Sequence, residues 1–248
     1  MIAFHGKPEI KEFYLARAKA HFAADEIVKG KYWANGHGCA VGCLIHSDSH
    51  ADLAEALSIP LQLAHLIDGI FEGMSNGHAK SFPMRFIESI PVGAELAGVI
   101  DRFLLTLLSD PHHGVIACAN EAARKPIQDM IDLFARKVSG RSIHTTKWHA
   151  AADAMRQHVL QHPIEATVWA ARATVWAARA RGGAARPMGG ARAEAAAWAA
   201  AWAAWEGAWG RGEGGGASNH YLWQADMLLS LLADAPVPAV AQPLEWTK

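Results

Sequence analysis

Residues 37–50 read His-Gly-Cys-Ala-Val-Gly-Cys-Leu-Ile-His-Ser-Asp-Ser-His. Two of the three cysteines and three of the fourteen histidines of the chain fall in this stretch. Thiols and imidazoles bind zinc, and they also serve as nucleophile and base in catalysis. The stretch therefore predicts a catalytic or metal-binding site. Its glycines indicate breaks in regular secondary structure.

The spacing of these residues limits what one helix can do. On a single helix Cys39, Cys43, His46 and His50 would share a face, at i, i+4, i+7 and i+11. Cys39 and His50 would still lie roughly 16 Å apart along the axis, whereas zinc ligands lie about 2.0–2.3 Å from the ion. At most an adjacent pair can bind one metal, so other ligands must come from a second element.

A loop that enters a helix near Gly38 is expected, because glycine inside a helix costs about 1 kcal/mol relative to alanine. Cys39 would then lie at a helix N-terminus, where the helix dipole lowers the pKa of a thiol and favours a nucleophile. Cys43 and His46, one turn apart, would form a thiol and base pair. The alternatives are metal ligation, or packing in which both cysteines are buried and Gly38 and Gly42 mark the close contact of two helices.

A second polar set follows on the helix predicted over residues 60–72. His65, Asp68 and Glu72 lie at i, i+3 and i+7 and so share a face. They would complete a metal site or supply a base beside Cys43, and the alternative is a solvated polar face. Zinc and iron both accept such ligands, and zinc is the first expectation. The candidate catalytic residues are Cys39, Cys43 and His46, and the candidate metal ligands are Cys39, Cys43, His46, His50, His65, Asp68 and Glu72.

Length and composition set the class of protein. With 248 residues and 51% hydrophobic side chains, the chain can bury a substantial core. A formal net charge of -1 gives no general attraction to nucleic acid, and the longest apolar run is too short to cross a bilayer. An odd number of cysteines and a start without a signal-like segment predict a reducing, cytoplasmic location. The expected partners are a small molecule or a host protein.

The predicted fold class is mainly α, a multi-helical globular domain followed by an alanine- and tryptophan-rich helical hairpin. The domain covers residues 1–145 and carries the cysteine and histidine stretch. The helical arm covers residues 146–233, and a proline-rich extended tail covers residues 234–248. Apolar periodicity, with proline and glycine as boundaries, predicts helices over residues 8–29, 49–57, 60–72, 83–90, 95–108, 126–137 and 218–233.

The arm contains a seven-residue duplication. Ala-Thr-Val-Trp-Ala-Ala-Arg at residues 166–172 is repeated at residues 173–179, and further tryptophans follow at helical spacing. The favoured interpretation is hairpin packing, in which indoles fill the volume that alanines leave, and such seams also suit self-association. The functional alternative is a partner-binding surface. Its candidate residues are Trp169, Arg172, Trp176, Arg179, Trp198 and Trp202.

Several short motifs suggest a relationship to other sequences. They are Gly-Cys-Ala-Val-Gly-Cys at residues 38–43 with His46, Ile-Phe-Glu-Gly at 70–73, Ile-Pro-Val-Gly-Ala at 90–94 and Gln-Ala-Asp-Met-Leu-Leu at 224–229. With the alanine and tryptophan repeats, the chain resembles a family of uncharacterised proteins from phage and environmental bacterial sequences. The resemblance implies a phage or prophage origin and an accessory role, and it brings no catalytic residues.

Two functional hypotheses follow. The first is a metal-binding or thiol-dependent helical enzyme that acts on a small polar molecule through the cysteine and histidine stretch. The second is a non-enzymatic phage accessory protein that binds or sequesters a host component through its tryptophan and arginine arm.

Overall fold

The computed structural model of the protein describes residues 1–119, 121–161 and 216–239. This part of the chain is mainly helical, which confirms the predicted fold class at that level. The predicted hairpin arm lies outside the described residues. The helices are α1 (Pro8–Ala23), α2 (Ala40–Ile45), α3 (His50–Leu57), α4 (Leu61–Gly73), α5 (Asn76–Ser89), α6 (Val99–Ser109), α7 (Glu121–Val138), α8 (Thr145–Gln161) and α9 (Gly216–Ala233).

The chain folds as two compact units. Of the described residues, the first unit contains 1–68, 80–97 and 229–239, and the second contains the remainder. The predicted domain boundary near residue 145 stays a prediction. Among the helices described, none combines the length and the apolar character that a membrane span requires.

In the first unit, α1 begins with Pro8 at its first position, where a missing N–H removes no helical hydrogen bond. The helix ends at Ala23 and not at residue 29 as predicted, because Asp25 adopts a left-handed backbone conformation with φ 57°. The chain after it is extended and pairs with Gly38, whose N–H donates to Glu26 O and whose carbonyl accepts from Val28 N. This pairing fixes the start of the cysteine and histidine stretch.

A tight turn joins two very short antiparallel strands, β1 (Trp33–Ala34) and β2 (His37–Gly38), which lead directly into α2. The Tyr32 carbonyl lies so close to α2 that a Cβ atom added at Gly38 or Gly42 would overlap it. The glycines therefore admit the backbone of an extended segment, not the second helix that the packing interpretation expected. Gly42 is buried within α2, where a side chain has no room.

Two prolines lie inside helices, although the sequence indicated helix starts at or near them. Pro83 lies within α5 and Pro126 within α7. Each proline removes one N–H from the helical ladder, but tertiary packing outweighs that loss in α5, where Phe82 and Phe86 are buried on either side of Pro83. Ser49 is the N-cap of α3, since Asp52 N donates to Ser49 Oγ at 3.0 Å.

The second unit is organised on α6, whose apolar face is buried as predicted. Lys137 of α7 forms an ion pair with Asp101 of α6 at 3.1 Å. Phe134 of α7 packs edge to face on Trp148 of α8, with the ring centroids 5.0 Å apart. These contacts hold α6, α7 and α8 together as neighbours.

Replacing Gly42 with alanine should destabilise the protein by about 1–3 kcal/mol, because the new Cβ overlaps the Tyr32 carbonyl. The matched control is Gly77→Ala, near the start of α5, where nothing lies within 4 Å of an added Cβ. That variant should be neutral or about 0.4–1 kcal/mol more stable. Urea unfolding of both variants measures the difference, and equal stabilities would contradict the steric role of Gly42.

Candidate functional site

The structure divides the cysteine and histidine stretch into two parts. Cys39 caps α2, as the loop-to-helix prediction required, and His46 ends α2 with a left-handed backbone at φ 58°. His50 then starts α3. The residues therefore do not share the face of one helix, and they contribute to two separate clusters.

The first cluster, the thiol–carboxylate site, consists of Cys39, His50, His65 and Asp68. The Cys39 thiol is 1% exposed and the α4 residue Asp68 is 5% exposed. Cys39 Sγ and a carboxylate oxygen of Asp68 lie within 4.8 Å of each other. His50 Nε2 lies 3.1 Å from Asp68 Oδ2. Asp68 Oδ1 is buried and accepts no hydrogen bond from the part of the chain that the structure describes.

Aromatic contacts fix the orientation of the His50 ring. The His65 ring stacks on it with centroids 4.3 Å apart and planes 24° apart. Tyr32 packs against it edge to face, with centroids 5.7 Å apart. The stripe predicted on α4 thus places His65 and Asp68 beside His50 and not on a fully solvated face. Glu72 follows Asp68 by one turn on the same helix.

The Cys39 thiol is far less acidic than the sequence suggested. Burial raises the pKa of Cys39 to about 12, with the Asp68 carboxylate as the next largest cause. The backbone N–H groups of Gly42 and Val41 lower the pKa, as expected at a helix start, but they are outweighed. The expectation of a lowered thiol pKa is therefore wrong. Burial destabilises the thiolate by more than the N–H groups at the start of the helix stabilise it.

Cys43 does not pair with His46. Its thiol points to backbone carbonyls, at 3.2 Å from Gly38 O and 3.8 Å from Glu26 O. Burial raises the pKa of Cys43 to about 11. A neutral thiol bonded to carbonyls is a packing arrangement, and the roles of Cys43 as nucleophile and metal ligand stay predictions.

The second cluster, the imidazole pair, consists of His21 and His46. Their Nε2 atoms lie 2.8 Å apart. On the far side of His21, Nδ1 lies 2.6 Å from Glu26 Oε2. Trp33 stacks on His46 with ring centroids 4.3 Å apart and planes 12° apart. His46 thus has a different partner from the one the sequence suggested.

Sequence reasoning missed His21, Glu26 and Trp33. His21 lies at helical spacing with the apolar residues of α1, so its pattern resembles that of a core residue. Glu26 directly follows Asp25, and adjacent carboxylates are typical of a solvated face. The chain reversal at Asp25 brings this carboxylate back to His21, five residues earlier, and no periodic pattern contains that information. The candidate arm residues Trp169, Arg172, Trp176, Arg179, Trp198 and Trp202 lie outside the described residues.

No protein-family model matches the chain. The curated proteins and the solved structures give no match either. The relationship to uncharacterised phage sequences therefore stays a prediction, and the functional argument depends on the geometry of the residues.

A third group of rings lies in the second unit and includes a strongly perturbed histidine. His220 of α9 is 3% exposed and packs on Trp223, which also stacks on His113. Burial lowers the pKa of His220 to about 4, with His113 the next cause, whereas Asp110 acts in the opposite direction. His220 is therefore held neutral at physiological pH.

The two buried thiols should be unreactive in the folded protein. In a chelator-treated Cys118→Ser variant, we expect Cys39 and Cys43 to react with a disulfide reagent at pH 8 only after unfolding in guanidinium, because both thiols are buried and protonated. The absorbance of the thiol released from the reagent measures how many cysteines have reacted at each time. Rapid reaction of either cysteine in the folded state would contradict this assignment.

Acid should weaken the second unit through His220. Since its folded pKa is below the unfolded value of about 6.5, the unfolded state binds the proton first, and stability falls from about pH 6.5 down to pH 4 by roughly 3 kcal/mol. His220→Gln should remove this part of the pH dependence in urea unfolding. The control His149→Gln changes an exposed histidine and should keep it. Parallel pH profiles for wild type and His220→Gln would refute the prediction.

Proposed function

We propose that the protein binds a transition-metal ion at the thiol–carboxylate site, with Cys39, His50 and Asp68 as ligands and zinc as the first choice. One observation carries the proposal. A buried thiol and a buried carboxylate lie with their ligand atoms within 4.8 Å, and one oxygen of that carboxylate has no hydrogen-bond donor among the described residues.

The energetics of this pair favour a cation. A buried carboxylate is costly unless a positive charge or several hydrogen bonds compensate it. The same carboxylate opposes ionisation of Cys39. A divalent ion reverses both effects, because it neutralises Asp68 and makes the thiolate the stable form of Cys39. An ion at this position would therefore stabilise the thiolate and the carboxylate together.

The Cys39 and Asp68 donor atoms need little rearrangement, whereas the His50 nitrogen must move closer, because the ligand atoms of Cys39, His50 and Asp68 do not all lie within 4.8 Å of one another. Zinc lies about 2.3 Å from sulfur and about 2.0–2.2 Å from oxygen, which places the two donor atoms about 3.5 Å apart in a tetrahedral site. Cys39 Sγ and Asp68 already lie within 4.8 Å, and His50 Nε2 is hydrogen-bonded to the same carboxylate. The stack on His65 restricts the His50 ring to rotations that keep Nε2 near that position.

The proposed role of Cys39 is ligation and not nucleophilic attack. Three protein ligands leave one position of a tetrahedral ion for water, and zinc lowers the pKa of bound water to about 7. Hydrolysis of a small polar substrate is therefore the reaction class that this site would support. Cys39, His50 and Asp68 would hold the ion, and the ion would supply an activated water for that hydrolysis.

Elemental analysis of the tag-free protein tests the proposal. We expect the wild type to carry bound zinc, and Cys39→Ser and Asp68→Asn each to lose about one ion per chain. Cys43→Ser is the matched control, because it also removes a buried thiol from α2 but leaves the proposed ligands intact. It should keep the metal content of the wild type.

Circular dichroism separates loss of metal from loss of fold. The Cys39→Ser and Asp68→Asn variants should retain the helicity of the wild type while losing the ion. An identical metal content in wild type, Cys39→Ser and Asp68→Asn would overturn the proposal, as would loss of metal from Cys43→Ser alone.

A further inference from the structure

The imidazole pair presents an arrangement that the thiol–carboxylate site does not use. His21 comes from α1 and His46 from the end of α2, and their Nε2 atoms face each other at 2.8 Å. Two ring nitrogens at this distance can share one proton, because two N–H groups would collide and two lone pairs would repel. There is therefore room between the two nitrogens for one proton or one small cation.

Glu26 determines which nitrogen of His21 carries a lone pair. Its Oε2 lies 2.6 Å from His21 Nδ1, so the ring donates Nδ1–H to the carboxylate and, when neutral, has its lone pair on Nε2. Metal-binding histidines are commonly held in this way, by a carboxylate on the ring nitrogen that does not bind the ion. His21 is thus oriented and polarised as a metal ligand toward His46.

The surroundings of His46 fix the direction of its ring. Trp33 covers one face of the ring at 4.3 Å, which limits its rotation. The left-handed backbone at φ 58°, which L side chains rarely adopt, turns this ring toward α1 instead of along the helix.

We propose that His21 and His46 form a second transition-metal site that binds a divalent ion of the cobalt, nickel, copper and zinc group. The ion replaces the shared proton, and Glu26 acts as the positioning carboxylate behind His21. Ligands at about 2.05 Å from a tetrahedral ion lie about 3.3 Å apart, so the two nitrogens must separate by only about 0.5 Å. This inference is independent of the thiol–carboxylate site.

The remaining coordination positions would be filled by water. Among the described residues, no His, Cys, Asp or Glu atom forms a three-ligand cluster with the two ring nitrogens. The ion would therefore have two imidazole ligands and open positions for water. The affinity of the site should rise from cobalt to nickel to copper, the usual order for nitrogen ligands. The proton displaced from between the neutral rings would move to Nδ1 of His46, so ion binding should release no net proton.

Cobalt titration of the tag-free, metal-free chain tests this proposal. Cobalt bound to a thiolate gives an intense charge-transfer absorption that cobalt bound to imidazole and water lacks, so the two sites can be distinguished. We expect one class of bound cobalt without that absorption. His21→Gln and His46→Asn should each abolish this class, and asparagine tolerates the left-handed backbone at position 46.

Two further variants test the role of Glu26 and provide a control histidine. Glu26→Gln should weaken the imidazole class about 10–100-fold without changing its stoichiometry, as expected when the group behind a metal-bound histidine is altered. His37→Ala removes an exposed histidine close in sequence to the site and should leave the titration unchanged. Circular dichroism confirms that each variant remains folded.

The outcomes of the two proposals differ. If His46→Asn and His21→Gln bind as much cobalt as the wild type, or if His37→Ala loses as much as they do, the imidazole site is overturned. If Cys39→Ser keeps every bound ion while His46→Asn loses one, the thiol–carboxylate proposal fails and the imidazole site stands.

Discussion

The close contact between the Tyr32 backbone and α2 is the constraint on which both clusters depend. Cys39 N donates to Lys31 O at 2.7 Å and to Tyr32 O at 3.2 Å, and Gly38 of β2 and Gly42 of α2 leave room for the Tyr32 carbonyl. The same extended segment supplies Glu26 and Trp33 to one cluster and Tyr32 to the other. A short piece of irregular chain thus sets the positions of residues that belong to three helices.

Much of the fold could be predicted from local sequence signals. The Ser49 cap, Pro8 at the first turn of α1 and the apolar face of α6 follow from the chemistry of a few neighbouring residues, and the structure contains all three. The end of α1 could not be predicted in this way. It depends on a left-handed residue at Asp25 and on extended pairing with Gly38, which lies thirteen residues further along the chain.

The candidate site was predictable in its residue types and less so in its electrostatics. The stretch around Cys39 and the stripe on α4 were identified because cysteine, histidine and carboxylate share a helical spacing. The ionisation of Cys39 was mispredicted because a helix start is visible in the sequence, whereas burial and the approach of Asp68 are properties of the folded chain. The link from His21 to His46 spans 25 residues and has no periodic signature.

The short helix α2 sets the distance between the two clusters. Cys39 and His46 stand at opposite ends of this six-residue helix, about 10 Å apart along its axis. Paired ions that clamp one substrate oxygen between them lie about 3.5–4 Å apart. The helix therefore keeps the two clusters apart, and under the two metal proposals each cluster would bind its own ion instead of sharing a dinuclear site.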